Sequence, residues 1–591
     1  MKKRLLSIFL AVCMVFTLLP TSAFAATTVS GTCGDNLTWT LDSEGILTIS
    51  GTGDMYDYEY KKAPWFGDTE ITKIVVNSGV TSIGACAFGG CTAYKLAVTL
   101  PDGVRSIGKY AFYNCRFLNS ITLPDGVETI GDYAFGECTY LKTITLPEGL
   151  KNIGDSAFYW CEYLGSIKFP ESLISIGREA FKDCDTIAEI VIPDSVTSIG
   201  YYAFSCCDKL TSVVLPSGLE EIKDYTFYGS KLKSIDIPDS VTNIGEYALY
   251  GCDLTSVTIP AKVKSVWPSA LNCPKLIAIS VDENNADYCS VDGVLFSKDK
   301  TTLDMYPPGK TATSYDIPNC VYTIDSEAFL NCRNLNEVTI PDSVGVIWDS
   351  AFENCGLTSV KIPSSVVKIG YRAFMTNGIK SIDVDSDNSE YCSENGVLFN
   401  ADKTKLIAYP SGRAAKLYRI PDGVTYVEGG AFYWAGFSCV TIPESLTDIG
   451  TGAFWGCTKL KDVHYAGSEE QWGKVSIWFD NDDLEDANIH YNSYGPDDSA
   501  LMDLGVTGAA EDDVVIASFG REVSSGGALE LPDCKLFKES GKNYKKLTGV
   551  TLTRGDKTEK NSSSNAYFVV PSAEVGDSSV KLSYKDYRDY I

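Results

Sequence analysis

Leu123-Pro-Asp-Gly-Val-Glu-Thr-Ile-Gly-Asp-Tyr-Ala-Phe-Gly-Glu-Cys138 is followed by Leu141 and Ile144, and then the phrase begins again. The next copy opens at Leu146-Pro147 and carries Ile153-Gly154, Ala157-Phe158, Cys161, Leu164 and Ile167. A phrase repeating about every 23 residues predicts a solenoid, in which no repeat folds alone and each buries its apolar edge against its neighbours. Within a copy, Leu141, Ile144 and Leu146 alternate as in a short strand. Pro147 has no N–H and stops the ladder. Gly149 and Gly154 are expected at tight or left-handed corners. Ala157-Phe158 and Cys161 are expected on a helical or 3₁₀ turn. A strand plus a helical turn at this period is the leucine-rich repeat pattern. The fold class is therefore an α/β repeat solenoid with caps at both ends.

Outward from this phrase, repeats are expected over residues 76–465. Residues 1–25 read as a secretory signal: Lys2, Lys3 and Arg4, an apolar run from Leu5 to Leu19, and an Ala23-Phe24-Ala25 cleavage site. Residues 26–75 hold the alternating Leu37-Thr-Trp39-Thr-Leu41, a turn at Asp42–Gly45 and Ile46–Ile49, a hairpin that would cap the first coil. The Ala-Phe spacing stretches twice, from Ala270 to Ala328 and from Ala373 to Ala431. Both gaps hold the same insert, Tyr288-Cys289 with Gly293-Val-Leu-Phe296 and Tyr391-Cys392 with Gly396-Val-Leu-Phe399. These predict hairpins near 277–316 and 380–419, with turns at Ser297–Lys300 and Asn400–Lys403, bulging from the solenoid. Residues 466–495, with Gln471-Trp472 and Ile489-His490-Tyr491, read as a closing cap. Residues 500–591 read as a small antiparallel β-sandwich-like domain, with strands at Val514–Ala517, Ala528–Leu531, Val550–Thr553, Tyr567–Val570 and Val580–Tyr584.

Composition narrows the function. The net charge of -27 disfavours nucleic acid and anionic membrane as partners. The 591 residues contain only two histidines, His464 and His490, which leaves little room for His-based catalysis or His-rich metal sites. After the signal, no apolar run is long enough for a membrane span. Twenty cysteines would suggest disulfides in an exported chain. Yet Cys91, Cys115, Cys138, Cys161, Cys184, Cys207, Cys252, Cys273, Cys332, Cys355 and Cys457 share one column of the repeat. Side chains stacked in one column point the same way, and a disulfide needs converging Cβ vectors. They are read as small buried thiols, with sporadic disulfides as the rival reading. No CxxC pair, phosphate loop or G-x-S-x-G motif is present, and no cofactor or metal is expected.

The phrase Ile-Pro-Asp-Ser-Val-x-x-Ile-Gly-x-x-Ala-Phe-x-x-Cys, at Ile192–Cys207 and Ile340–Cys355, resembles the BspA-type leucine-rich repeats of bacterial surface proteins. Gly31-Thr-Cys-Gly34 with Leu37–Leu41 and Ala63-Pro64-Trp65 is similar to that family's N-terminal cap. The resemblance implies an exported or cell-surface bacterial protein, not an enzyme, that contacts host or microbial extracellular proteins or glycans in the manner of an adhesin. A structural spacer is the alternative, and a carbohydrate-active enzyme the third reading.

Outward strand positions are mostly Ser and Thr, such as Ser120, Thr122, Thr143 and Thr145, which suits any exposed strand. The turns carry aromatic residues, and clustered Tyr and Trp suit protein or glycan contact. Tyr113, Tyr140, Tyr159, Trp160, Tyr163, Tyr228 and Tyr250 are the candidate binding residues. The acidic runs Asp282–Asn285 and Asp385–Asn388 do not fit calcium-loop spacing and are read as solvated turns.

Overall fold

The computed structural model describes residues 28–376 and 378–493, and the backbone of Thr551–Arg554, Lys557–Lys560 and Lys581–Tyr584. The expected signal segment lies outside the described residues. The chain forms two compact units, residues 1–273 and 274–591.

In the first unit each repeat is one coil. Thr143–Thr145 pairs in parallel with Ser120–Thr122, and buried Ile144 sits over buried Ile121 while the flanking residues face outward. After the Pro147 turn, Asn152–Ile153 joins a second parallel ladder between Thr129–Ile130 and Ser175–Ile176. Ile107, Ile130, Ile153, Ile176 and Ile199 stack in register along it. The buried Phe rings form a third column. Phe112, Phe135, Phe158 and Phe181 lie face to face, with centroids 5.2, 5.4 and 5.0 Å apart. Offset stacking at this distance adds to the gain from burial.

The helical turn is the main correction. Residues 154–161 do not make a helix. Ala157, Tyr159 and Cys161 donate their N–H groups three residues back, to Gly154, Ser156 and Phe158. Ser156, Phe158 and Trp160 instead donate to Arg178, Ala180 and Lys182 of the next coil. Every second N–H is thus spent on a neighbour, so no i→i−4 ladder can form. Among the described residues the helices are one 3₁₀ turn, Pro268–Leu271, and two single turns, Glu469–Trp472 and Asp482–Glu485. The solenoid is built of strands and turns.

The corner residues differ too. Left-handed backbone falls at Ser156 (φ 54°) and Trp160 (φ 58°), so of the two alternatives for Gly149 and Gly154 the left-handed one does not hold. Gly154 is there because the coils touch. A Cβ on it would lie 2.7 Å from the backbone of Gly131 and Asp132. Gly154→Ala is expected to cost about 1–3 kcal/mol, the usual penalty for overpacking, read as an earlier urea midpoint at unchanged slope.

The cysteine column is a thiol ladder. The Sγ atoms of Cys138, Cys161, Cys184 and Cys207 donate to the carbonyls of Phe112, Phe135, Phe158 and Phe181 at 3.1–3.2 Å. Burial pushes these thiols well above their ordinary range. All the described cysteines are free. With a thiol reagent at pH 8, exposed Cys320 is expected to react at once, and the column to react only on unfolding.

The chain enters the first unit through an antiparallel meander, Val29–Gly34, Leu37–Leu41 and Ile46–Gly51, whose last strand pairs in parallel with Lys73–Val76. Trp65 closes the Phe column by stacking on Phe88 and donating its Nε1 proton to the Ala87 carbonyl at 2.7 Å.

In the second unit the inserts are woven into the solenoid rather than bulging from it. Tyr288–Val291, Val294–Ser297 and Thr302–Met305 form an antiparallel meander, and the last strand joins the parallel ladder of Thr323–Ile324 and Val346–Ile347. The second insert repeats this with Tyr391–Glu394, Val397–Asn400 and Lys405–Ala408. Tyr306 and Tyr409 take the Phe position, against Phe329 and Phe432 at 5.4 and 5.5 Å. Leu398 belongs to the core before the second insert, Val397 and Phe399 to the core after it. The insert strand is therefore a partition, buried on both faces. Beyond residue 493, Thr551–Arg554 pairs antiparallel with Lys557–Lys560 and parallel with Lys581–Tyr584. That pairing is mixed, where a purely antiparallel sandwich was expected; its other expected strands lie outside the described residues.

Candidate functional site

The first unit brings the seven candidate aromatics onto three runs. Tyr140 and Tyr163 follow the buried cysteines by two residues, a position that each coil repeats. Their rings stack 5.1 Å apart, and Phe117 stacks on Tyr140 at 5.3 Å. Tyr94 ends this run edge-on against Phe117. Tyr140 is 36% and Tyr163 45% exposed.

The second run lies on the turns themselves. Tyr110 stacks on Tyr133 at 4.9 Å and meets Tyr113 edge-on at 5.2 Å. Tyr113 is half-buried and donates its hydroxyl proton to Glu137; burial and that carboxylate both hold its phenol above the ordinary range. Tyr133 leads to Tyr159 at 6.4 Å, and Tyr159 to Trp160 at 6.2 Å. Partial burial raises Tyr159 as well. The third run starts at Tyr202 and Tyr225, 4.3 Å apart, and continues through Tyr228 to Tyr250 at 5.4 Å. Lys182 joins the second run to the third, its Nζ lying 5.7 Å from the Tyr159 ring centre and 5.5 Å from that of Tyr202. Cation–π contact of this kind favours a fixed Lys position.

Acids flank the break in the aromatic runs. Asp185 is pushed up to about 6, first by burial and then by the like charges of Asp208, Asp183 and Glu162. The surface here is aromatic and acidic. It can stack on flat or apolar groups and attract cations.

The acidic runs in the inserts are Asx turns. Asp282 Oδ1 accepts the Asn284 N–H at 2.8 Å, and Asp385 Oδ1 the Asp387 N–H at 3.1 Å. No group of three or more acidic, Cys or His side chains among the described residues could hold a metal ion. No helix among them is long and apolar enough to cross a membrane.

Residues 62–162, 151–277, 309–414 and 413–500 match the family described as BspA type leucine rich repeat region. The chain belongs to the BspA-type leucine-rich repeat family. Among solved structures it is similar to a leucine rich cell surface protein from Faecalibacterium prausnitzii, at 27% identity over 76% of this chain and 98% of that one, TM-score 0.40. A leucine-rich repeat protein from Bacteroides ovatus is 26% identical over 78% of this chain and 98% of that one, TM-score 0.42. The pneumococcal vaccine antigen PcpA is 18% identical over 79% and 98%, TM-score 0.32. No curated protein matches the chain.

The sequence reading missed the aromatics of the second unit. Trp434 and Trp455 are each half-exposed, and Tyr433 lies 5.3 Å from Trp455. A signal was present. Phe432-Tyr433-Trp434 repeats Phe158-Tyr159-Trp160 at the same place in the phrase.

Proposed function

We propose that this BspA-type protein is an exported, adhesin-like binding protein that holds extracellular proteins or glycans against the aromatic surface of residues 28–273. One observation carries the reading. Trp160 is 47% exposed on a left-handed corner, φ 58°, that glycine fills at Gly90, Gly229 and Gly251 and smaller polar residues fill at Asn114, Glu137 and Asp183. The corner is common to the coils; what sets this one apart is a large ring half-exposed on it, which suits a contact surface. The stacked Tyr140 and Tyr163 are fixed on rigid coils, so a ligand meets rings that lose little freedom on binding.

Titration of the full chain against extracellular-matrix proteins and glycan arrays tests this. Tyr140→Ala and Trp160→Ala are each expected to weaken a saturable interaction by about tenfold or more, as central aromatic contacts do. Trp160→Gly is expected to weaken it equally without lowering the melting temperature. Binding of a basic protein is expected to fall as pH drops through about 6, where Asp185 loses its charge. Absence of saturable binding across the arrays would leave the spacer reading in its place.

A further inference from the structure

The column just before each Ala-Phe pair carries a side chain on left-handed backbone, among them Tyr110, Tyr133, Tyr225, Ser350 and Arg372. After Arg372 the pattern fails twice. The second insert replaces its turn with Tyr409-Pro410, and the next two coils have Gly430 (φ 72°) and Gly452 (φ 60°). Arg372 fills the space those side chains would take. A Cβ on Gly430 would lie 3.4 Å from Arg372 Nε, and one on Gly452 3.4 Å from Nη2 and 3.6 Å from Trp455 Cβ.

The arginine is held without an ion pair. Its guanidinium lies 5.0 Å from the Tyr371 ring centre, and the Tyr371 hydroxyl donates to the Thr451 carbonyl at 3.2 Å. Arg372 Nε is buried with no hydrogen-bond partner, and no carboxylate among the described residues forms an ion pair with it. Two acids stand near it without pairing: Asp480, whose Cβ would lie 3.8 Å from a Cβ on Gly452, and Glu353, whose charge acts on Tyr433 together with that of Arg372. Beside it is a cavity of about 20 Å³ lined by Arg372, Met375, Tyr409, Gly430 and Tyr433, room for one oxygen-sized group. Tyr433 lines it, and the Trp455 ring lies 5.3 Å from the Tyr433 ring.

We propose that this notch binds an acidic sugar, with one carboxylate oxygen in the cavity at Arg372 Nε, the other at Nη2, and the pyranose ring against Trp455. A guanidinium offers two parallel N–H donors matched to a carboxylate, and an unpaired buried donor is costly until it finds one. The aromatic face takes the apolar face of the sugar. The site is separate from the aromatic runs of residues 28–273 and does not rest on their function.

The test is titration of the full chain, followed by tryptophan fluorescence and calorimetry. The probes are D-glucuronate and N-acetylneuraminate, with D-glucose and acetate as comparisons. Both acidic sugars, or the one whose geometry fits, should bind at least tenfold tighter than glucose and than acetate; the two arms separate uronic from sialic sources. Arg372→Gln is expected to abolish that preference, Arg372→Lys to reduce it, and Trp455→Ala to weaken the acidic sugars about tenfold. Near-UV circular dichroism of each variant checks that it folds. Acetate binding as tightly as the sugars, glucose binding equally, or a preference that survives Arg372→Gln would each overturn the proposal.

Discussion

Replacing Phe158 with Ala is expected to lower the stability of the first unit by about 3–5 kcal/mol, the range for emptying a buried aromatic site. Phe158 is fully buried and stacks on Phe135 at 5.4 Å and Phe181 at 5.0 Å, so one change removes two ring contacts at once. The cavity cannot collapse easily. On both sides the coils are held by cross-coil hydrogen bonds, including Phe158 N–H to Ala180 and Phe135 N–H to Ala157. The carbonyl of Phe158 also accepts the Cys184 thiol at 3.2 Å. Urea unfolding followed by circular dichroism reads the loss as a lower midpoint. Cys184→Ala is the comparison: it removes one thiol contact and little volume, and is expected to cost about 1–2 kcal/mol. Equal effects of the two changes would mean that the ring column is not what holds the coils together.

Asp304→Asn is expected to stabilise the protein at pH 8 by an amount on the order of 2–4 kcal/mol and to change little at pH 4. Asp304 lies on Thr302–Met305, and its Oδ2 is buried without a hydrogen-bond partner. Burial is the main cause that pushes its carboxyl up to about 8; the like charges of Asp325 and Asp299 add to it, and a backbone hydrogen bond from Ser297 opposes it. The folded carboxyl is thus raised above its unfolded value near 4. The folded state keeps a proton that the unfolded chain releases. That contribution to stability is full below pH 4, declines as pH rises, and is lost once pH passes about 8. Asn carries no charge and removes this slope. The second insert has Ile407 at the matching place, so Asp304→Ile tests the same point with the residue that the sister insert uses. Urea midpoints from pH 4 to 9 for the unchanged chain and the two variants decide it. Parallel curves for the unchanged chain and Asp304→Asn would show the carboxyl ionised as usual.

Much of the fold is legible in the sequence because it is periodic. Ile130, Ile153 and Ile176 recur at one spacing and stack in one ladder. The cysteine column is legible by the same reasoning, since residues at equal phase point the same way. The turns are not. Whether Phe158 N–H bonds within its own turn or to Ala180 depends on how close the next coil lies, and no local propensity encodes that. The aromatic candidates are visible as a composition of the turns. Their sorting into runs follows from stacking distances, and the candidates of the second unit escape notice because a single Tyr-Trp pair is faint beside the long Tyr series.

By itself, then, the sequence determined the repeat, its inward face, the cysteine column and the family. These rest on apolar periodicity and column identity, which survive without coordinates. Tertiary structure decided which corners are left-handed, why Gly154 must be glycine, how the insert strand Val397–Asn400 divides two cores, and that Arg372 lies across Gly430 and Gly452. Each of these depends on a contact between residues a coil or more apart, where the position of the neighbour, not the residue's own preference, sets the outcome.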